Sequence, residues 1–214
     1  MSLITLTDPR SPQSEAYRTL RTNLSFYGLD KPLASIVVTS PAPDQGKEIA
    51  VANLAVTMAQ GGKRTIVVDC DLRRPSLHSL FALSNDSGFT EMVLDETVEA
   101  PLQKTSVENL WVLSSGILPP NPADLLGTKQ VERVLGKLLE QSDIVLLNTP
   151  PVISVSDAVV LGAKSDGVLL VIQAGKTRRD QAERAKQTLE QANVRIIGAA
   201  LINATTDSAI GSYD

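Results

Sequence analysis

A single cysteine, Cys70, stands in 214 residues. That excludes an intrachain disulfide and favours a reducing compartment. Histidine is as scarce: His78 is alone, so no Cys/His cluster can build a zinc site. Aromatic residues make up only 3% of the chain, which leaves the core to Val, Ile, Leu and Ala. There is no surplus of positive charge. The formal net charge is -4, which argues against the basic surface of a nucleic-acid binder. No apolar run approaches the roughly 18 residues of a membrane-spanning helix, and the opening MSLITLTDPR has no signal-peptide core. No repeat of solenoid period occurs. What is left is the composition of a soluble globular chain, 43% hydrophobic and 21% charged. Its length suits one sizeable core and a single domain over 1–214.

Short β-rich runs recur along that length. They are SIVVTS (35–40), TIVVDCD (65–71), NLWVLSSG (109–116), DIVLLNTP (143–150), GVLLVIQAG (167–175) and RIIGAALIN (195–203). Several are continuously apolar rather than alternating, as strands covered on both faces are. Helical stretches lie between them at 47–60, 122–140 with a break near Gly127, 155–164 and 178–192. Strand–helix alternation predicts right-handed crossovers and an open, mainly parallel α/β sheet with helices on both faces. Asp86 to Thr105 reads as a short helix with an edge strand. Ser11 and Pro12 read as N-cap and first residue of a helix reaching Tyr27. Tyr17, Leu20, Leu24 and Tyr27 line one face of that helix, and Glu15, Arg18 and Arg21 form a stripe on the other. Trp111 and Cys70 read as core residues, and the polar end, 204–214, as a mobile tail.

Three segments carry chemistry. In SPAPDQGKEIAVANLA a strand runs into a loop and then a helix. Such a loop cradles phosphates with backbone N–H groups, and the helix dipole assists. The strict pattern G-x-x-x-x-G-K-[ST] needs a lysine for the β- and γ-phosphates and a hydroxyl for Mg²⁺. Gly46 and Lys47 are in place, but Pro41 stands at the first glycine and Glu48 at the hydroxyl. Without a ligand the same segment is a strand–turn–helix whose first-turn Glu48 favours the helix dipole. In TIVVDCDLRRPSLH, Asp69 and Asp71 are alternate residues at a strand end, suited to hold a metal or take a proton. Arg73 and Arg74 follow and would bring cations near a phosphate. Solvated acids in a turn are the alternative. In DIVLLNTPPV, four apolar residues lead into Asn148, where a working phosphate-loop enzyme has an aspartate on Mg²⁺.

Taken together these motifs resemble the bacterial tyrosine kinase family, the P-loop proteins with MinD/ParA-like architecture that accompany capsule and exopolysaccharide export. SEAYRTLRTNL is similar to the family's E-x-x-R-x-x-R oligomerisation helix at Glu15, Arg18 and Arg21. SPAPDQGKE is similar to its Walker A motif, VVDCDLRRPSLH to its Walker A′ and LLNTPPV to its Walker B. GILPPNPADLL and VSDAVVLGAKSDGVLLVIQAGKTRR resemble further family stretches. The resemblance implies ATP and Mg²⁺ as cofactors, and a homo-oligomer whose subunits phosphorylate one another's tail tyrosines. It also implies a membrane-embedded co-polymerase-type adaptor that holds a cytoplasmic protein at the inner face of the membrane. By the same resemblance Lys47 would hold the β/γ-phosphates with Gly46. Asp69 would be base and metal partner, Asp71 would support the metal shell, Asn203 would lie near adenine, and Tyr213 would be the phosphoacceptor.

The departures fall on the chemistry: Glu48 for the hydroxyl, Asn148 for the aspartate and Asp44 for a loop glycine. Two explanations follow. Glu48 takes over the lost carboxylate, and an active autokinase uses Glu48 and Asp69 as metal ligands. Alternatively the site is degenerate, and Asp44 or Glu48 pairs with Lys47 in imitation of a phosphate, making a pseudokinase. A MinD/ParA-type ATPase shares the fold but carries an additional lysine early in the loop, and none stands between Lys31 and Lys47.

Overall fold

The computed structural model describes residues 3–27, 32–95 and 97–204. The expected tail, with Tyr213, lies outside the described residues apart from Ala204. Among these residues the sheet has seven strands in the order β3-β4-β2-β5-β1-β6-β7. They are β1 (Ser35–Thr39), β2 (Thr65–Asp69), β3 (Gln103–Lys104), β4 (Leu110–Leu113), β5 (Ile144–Asn148), β6 (Gly167–Gln173) and β7 (Ile196–Ile202). All pairings are parallel except that of β3 with β4. Every position of β1, β2 and β5 is buried, which is why their middle residues are continuously apolar.

Alternation along the strands divides the core in two. Ile36 and Val38 join one cluster and Val37 the other. The first face is covered by α1 (Ile4–Thr7), α2 (Pro12–Tyr27), α3 (Lys47–Gln60) and α4 (Leu77–Leu80). The second is covered by α5 (Phe89–Leu94), α6 (Pro122–Gly127), α7 (Lys129–Gln141), α8 (Asp157–Gly162) and α9 (Arg179–Gln191). The open, mainly parallel α/β sheet read from the sequence is the fold. The break expected near Gly127 separates α6 from α7, and the 86–105 stretch holds α5 and the edge strand β3.

Three local expectations are corrected. The second strand ends at Asp69 instead of Asp71, because the Asp69 carboxylate accepts the N–H groups of Ser76 and Leu77 and so turns the chain. Tyr27 leaves the apolar face of α2; it is exposed, with the Arg195 guanidinium 4.9 Å from its ring centroid. Trp111 is half-buried rather than central. The two four-residue helices α1 and α4 escape a periodicity reading because one turn has no period.

Helix α3 is the buried axis of the first layer, and its polar residues are satisfied by the N-terminal helices. Asn53 Oδ1 accepts from the Thr5 N–H and hydroxyl at 3.1 and 2.8 Å. Arg21 Nη1 donates to Thr57 O at 2.8 Å, near the negative end of the α3 dipole. Gly61 makes room for it: a Cβ there would come within 2.8 Å of Arg21 Nη1. At the start of α2, Ser11 Oγ accepts the Ser14 N–H at 3.2 Å, the capping read from the sequence.

Cys70 is fully buried, and burial, reinforced by the negative charges of Asp69, Asp71 and Asp157, pushes its thiol well above the ordinary cysteine range. The native chain is therefore expected to leave Ellman's reagent unreacted at pH 8, with one thiol per chain appearing only in denaturant. Rapid labelling of the folded protein would contradict this packing.

Candidate functional site

The C-terminal ends of β1, β2 and β5 meet at one edge of the sheet, where ligands of open α/β folds bind. The loop after β1 enters α3 through Gly46, which has φ +69°. A Cβ at Gly46 would come within 2.9 Å of Ile202 Cδ1 on β7, the movable end of that side chain, so it is the left-handed backbone that favours glycine here. Asp44 is also left-handed, with φ +55°. That conformation costs a non-glycine residue on the order of 1–2 kcal/mol, though Asp tolerates it better than most. The Asp44 carbonyl accepts a hydrogen bond from Lys176 Nζ, which reaches across from the β6–α9 connection.

Lys47 does not project into open space. Its side chain is 3% exposed, and its ammonium is bonded to three protein groups. Nζ donates to Glu48 Oε1 at 2.7 Å, to Asp71 Oδ2 at 3.0 Å and, at a longer 3.4 Å, to Asn148 Oδ1. An ammonium has three donors, and this set uses them all. The other oxygen of Asp71 accepts the Arg74 N–H at 3.0 Å. The parallel register of β2 and β5 sets Asn148 beside Asp69, and Asn148 Nδ2 donates to Asp69 Oδ1 at 2.9 Å. Asp69 Oδ2 accepts from Ser76 N and Leu77 N at 2.7 and 2.9 Å.

The structure thus brings Gly46, Lys47, Glu48, Asp69, Asp71 and Asn148 together, but with their polar atoms turned on one another. Of the two acids expected to pair with Lys47, it is Glu48 that does so. Mg²⁺ held in a phosphate loop takes a hydroxyl and a carboxylate; this edge presents Glu48 and an amide in their place. Among the described residues, no group of three or more His, Cys, Asp or Glu side chains is placed to hold a metal. The hydroxyl-plus-aspartate pair that the resemblance implies for Mg²⁺ is therefore absent, and the carboxylates of Glu48, Asp69 and Asp71 are bonded within the protein.

The remaining residues lie farther out. Arg73, expected near a phosphate, instead makes a two-point pair with Asp157 at 3.1 and 3.3 Å, tying the turn after β2 to the start of α8. Asp157 is fully buried and was missed; in the sequence it reads only as a helix-start acid. Asn203 is exposed just past β7, with φ +54°. Arg18 donates to Glu15 at 2.5 Å and to Pro9 O at 2.7 Å, whereas Arg21 is spent on α3 within the same chain. The partners of Asp44 and Asn53 were also missed, because Lys176 and Thr5 are far away in sequence.

Burial holds the Asp69 carboxyl above the ordinary aspartate range, against the pull of the Leu77 and Ser76 N–H groups and the Asn148 amide; the Asp71 charge raises it further. The folded chain then binds that proton more tightly than the unfolded chain. The contribution of Asp69 to stability falls as pH rises from the ordinary carboxylate range through the raised folded value. Asp69→Asn can still accept the two N–H bonds and cannot ionise. Melting curves between pH 4 and 8 should show the variant gaining on the parent as pH rises; a pH-independent difference would contradict the raised value.

Residues 36–196 match the family model described as AAA domain. The tyrosine-protein kinase YwqD of Bacillus subtilis (strain 168) is 41% identical over 199 residues, covering 92% of this chain and 84% of that protein. The kinase domain of the Escherichia coli tyrosine kinase ETK superposes with a TM-score of 0.88 at 31% identity, over 99% of this chain and 85% of that one. A septum site-determining protein MinD from Pyrococcus horikoshii OT3, complexed with Mg-ADP, gives a TM-score of 0.66 at 20% identity, over 78% of this chain and 69% of that one. That likeness shows the shared P-loop fold alone. With two fifths of its residues shared with YwqD over most of both proteins, and with the ETK kinase fold around its Gly46-Lys47 loop, the chain belongs to the bacterial tyrosine-protein kinase family.

Proposed function

We propose that this member of the family is a pseudokinase, a tyrosine-kinase-like P-loop protein whose nucleotide site is filled by its own side chains. The observation that carries this reading is the state of Lys47. Its ammonium is buried and held by Glu48 Oε1 and Asp71 Oδ2, so a triphosphate would have to displace a carboxylate to reach it. The incoming charge would also meet Glu48. Two unit charges about 4 Å apart interact by roughly 4 kcal/mol at an effective dielectric near 20, which corresponds to several hundredfold in affinity. The loss of the magnesium aspartate to Asn148 adds to that barrier. An active kinase with Glu48 and Asp69 as rearranged metal ligands would have to break the Lys47–Glu48 pair and seat a metal on an Asp69 carboxylate that already accepts bonds from Ser76, Leu77 and Asn148.

In this reading the protein serves capsule or exopolysaccharide assembly as a scaffold, held at the inner face of the membrane by a co-polymerase-type adaptor. Self-association would run through α2. Its Glu15 and Arg18 remain at the surface, while Arg21 steadies α3 from within. Among the described residues no helix is long and apolar enough to cross a membrane, and the proposed membrane link runs through the adaptor.

Calorimetry with Mg·ATP tests the site directly. The chain should give no saturable heat up to about 1 mM nucleotide, a free energy weaker than about -4 kcal/mol. The Asp44→Gly/Glu48→Ser/Asn148→Asp variant should bind in the micromolar range. Micromolar binding by the unmodified chain, or transfer of label from ATP to Tyr213 with the adaptor present, would overturn the pseudokinase reading.

A further inference from the structure

Asn148 lies on the sheet between two charged groups and contacts both. Its Oδ1 faces the Lys47 ammonium at 3.4 Å, and its Nδ2 donates to Asp69 Oδ1 at 2.9 Å. Asn148 and Asp69 are both fully buried. Only an amide of this size offers one acceptor and one donor in those two directions. A carboxylate at 148 would be an acceptor on both sides. Its second oxygen would stand where Nδ2 now stands, against Asp69, so that two buried like charges would share one contact. A hydrocarbon at 148 would leave the Asp69 oxygen with only the longer bond from the Asp71 N–H, at 3.3 Å, and would loosen Lys47 as well.

The Lys47 charge sets the other half of the constraint. A buried ammonium needs compensating carboxylate, and here Asp71 and Glu48 supply it. The acid is thus carried on the first turn of α3 and the amide on the end of β5. Swapping only one of the two positions changes the charge around Lys47 by one unit, and swapping both leaves it level.

We infer that Glu48 and Asn148 are two halves of one coupled exchange, in which Asn148 is the positioning residue that keeps Lys47 turned onto Glu48. This inference rests on the reading of a self-filled site, but it concerns the site's own energetics. The amide is the latch: it restrains Asp69 with one end and leaves Lys47 to be neutralised by an acid on the neighbouring helix. An aspartate at 148 becomes tolerable only when Glu48 has been removed, because Lys47 can then turn to the new carboxylate and offset its charge beside Asp69.

The test uses four full-length chains without nucleotide and with EDTA: the parent, Glu48→Ser, Asn148→Asp and the double variant. Asn148→Asp should lower Tm by several degrees, and the same change in the Glu48→Ser background should lower it by less than half as much. Equal shifts in both backgrounds, or no shift from Asn148→Asp, would overturn the coupling. If Asn148→Asp alone fails to fold, a soluble, cooperatively melting double variant is the expected result, and failure of both counts against the inference.

A second readout separates positioning from general packing. Acylation of Lys47 by an N-hydroxysuccinimide ester, followed by mass spectrometry, should rise several-fold in Asn148→Ala. It should stay at the parent level in Val134→Ala, which truncates α7 on the opposite face of the sheet. Equal Lys47 labelling in the two variants would reduce Asn148 to a packing role. ATP binding by the parent would sink the pseudokinase reading while leaving this cycle intact. Additive melting shifts would sink the coupling while leaving the calorimetry intact.

Discussion

The Lys47 ammonium is the constraint on which the site depends. A cation 3% exposed at the edge of a sheet must be neutralised, because several kcal/mol are lost when such a charge stands alone. In a nucleotide-binding loop the phosphates supply that neutralisation. Here the chain supplies it through Asp71 and Glu48, and the remaining polar groups arrange themselves accordingly. Asp69 is closed off by three backbone N–H groups and an amide, and Arg73 pairs with Asp157. At the loop's end Gly46 is left-handed against Ile202, and the negative charge beside Lys47 comes from Asp71 and Glu48.

Helix α3 joins this arrangement to the N-terminal helices. Its first turn carries Lys47 and Glu48, its middle presents Asn53 to Thr5, and its last turn presents the Thr57 carbonyl to Arg21. Buried polar groups on a helix are costly unless each is paired. The pairing therefore fixes how α1 and α2 sit on α3, and through it how they sit relative to the loop. Arg21, which looks like an interface residue in the sequence, is in part an internal cap for this helix.

Much of the fold was legible in the residues. The runs at 35–40, 143–150 and 167–175 are apolar on both faces, and only a sheet covered twice buries them. The limits of α3 were readable because the loop precedes it and Gly61-Gly62 ends it. The end of β2 was not, because Asp69 stops the strand by accepting N–H bonds from residues seven and eight positions later. Tyr27 has the helical spacing of a core residue but is exposed at the end of α2, where Arg195 meets its ring. Asp157 gave no signal beyond a helix start, since its partner Arg73 lies 84 positions away.

By itself the sequence determined the family, the layered parallel sheet and the three places where the chemistry departs from a working phosphate loop. Those are matters of residue type and order, which local periodicity and motif spacing express. Which acid would neutralise Lys47, and what the amide at 148 would do, was decided only in three dimensions. Lys47, Asp71 and Asn148 come from three separate segments, and their distances exist only once β1, β2 and β5 lie side by side in register. Burial at that edge then turns the choice of partners into a question of charge compensation, which no linear pattern encodes.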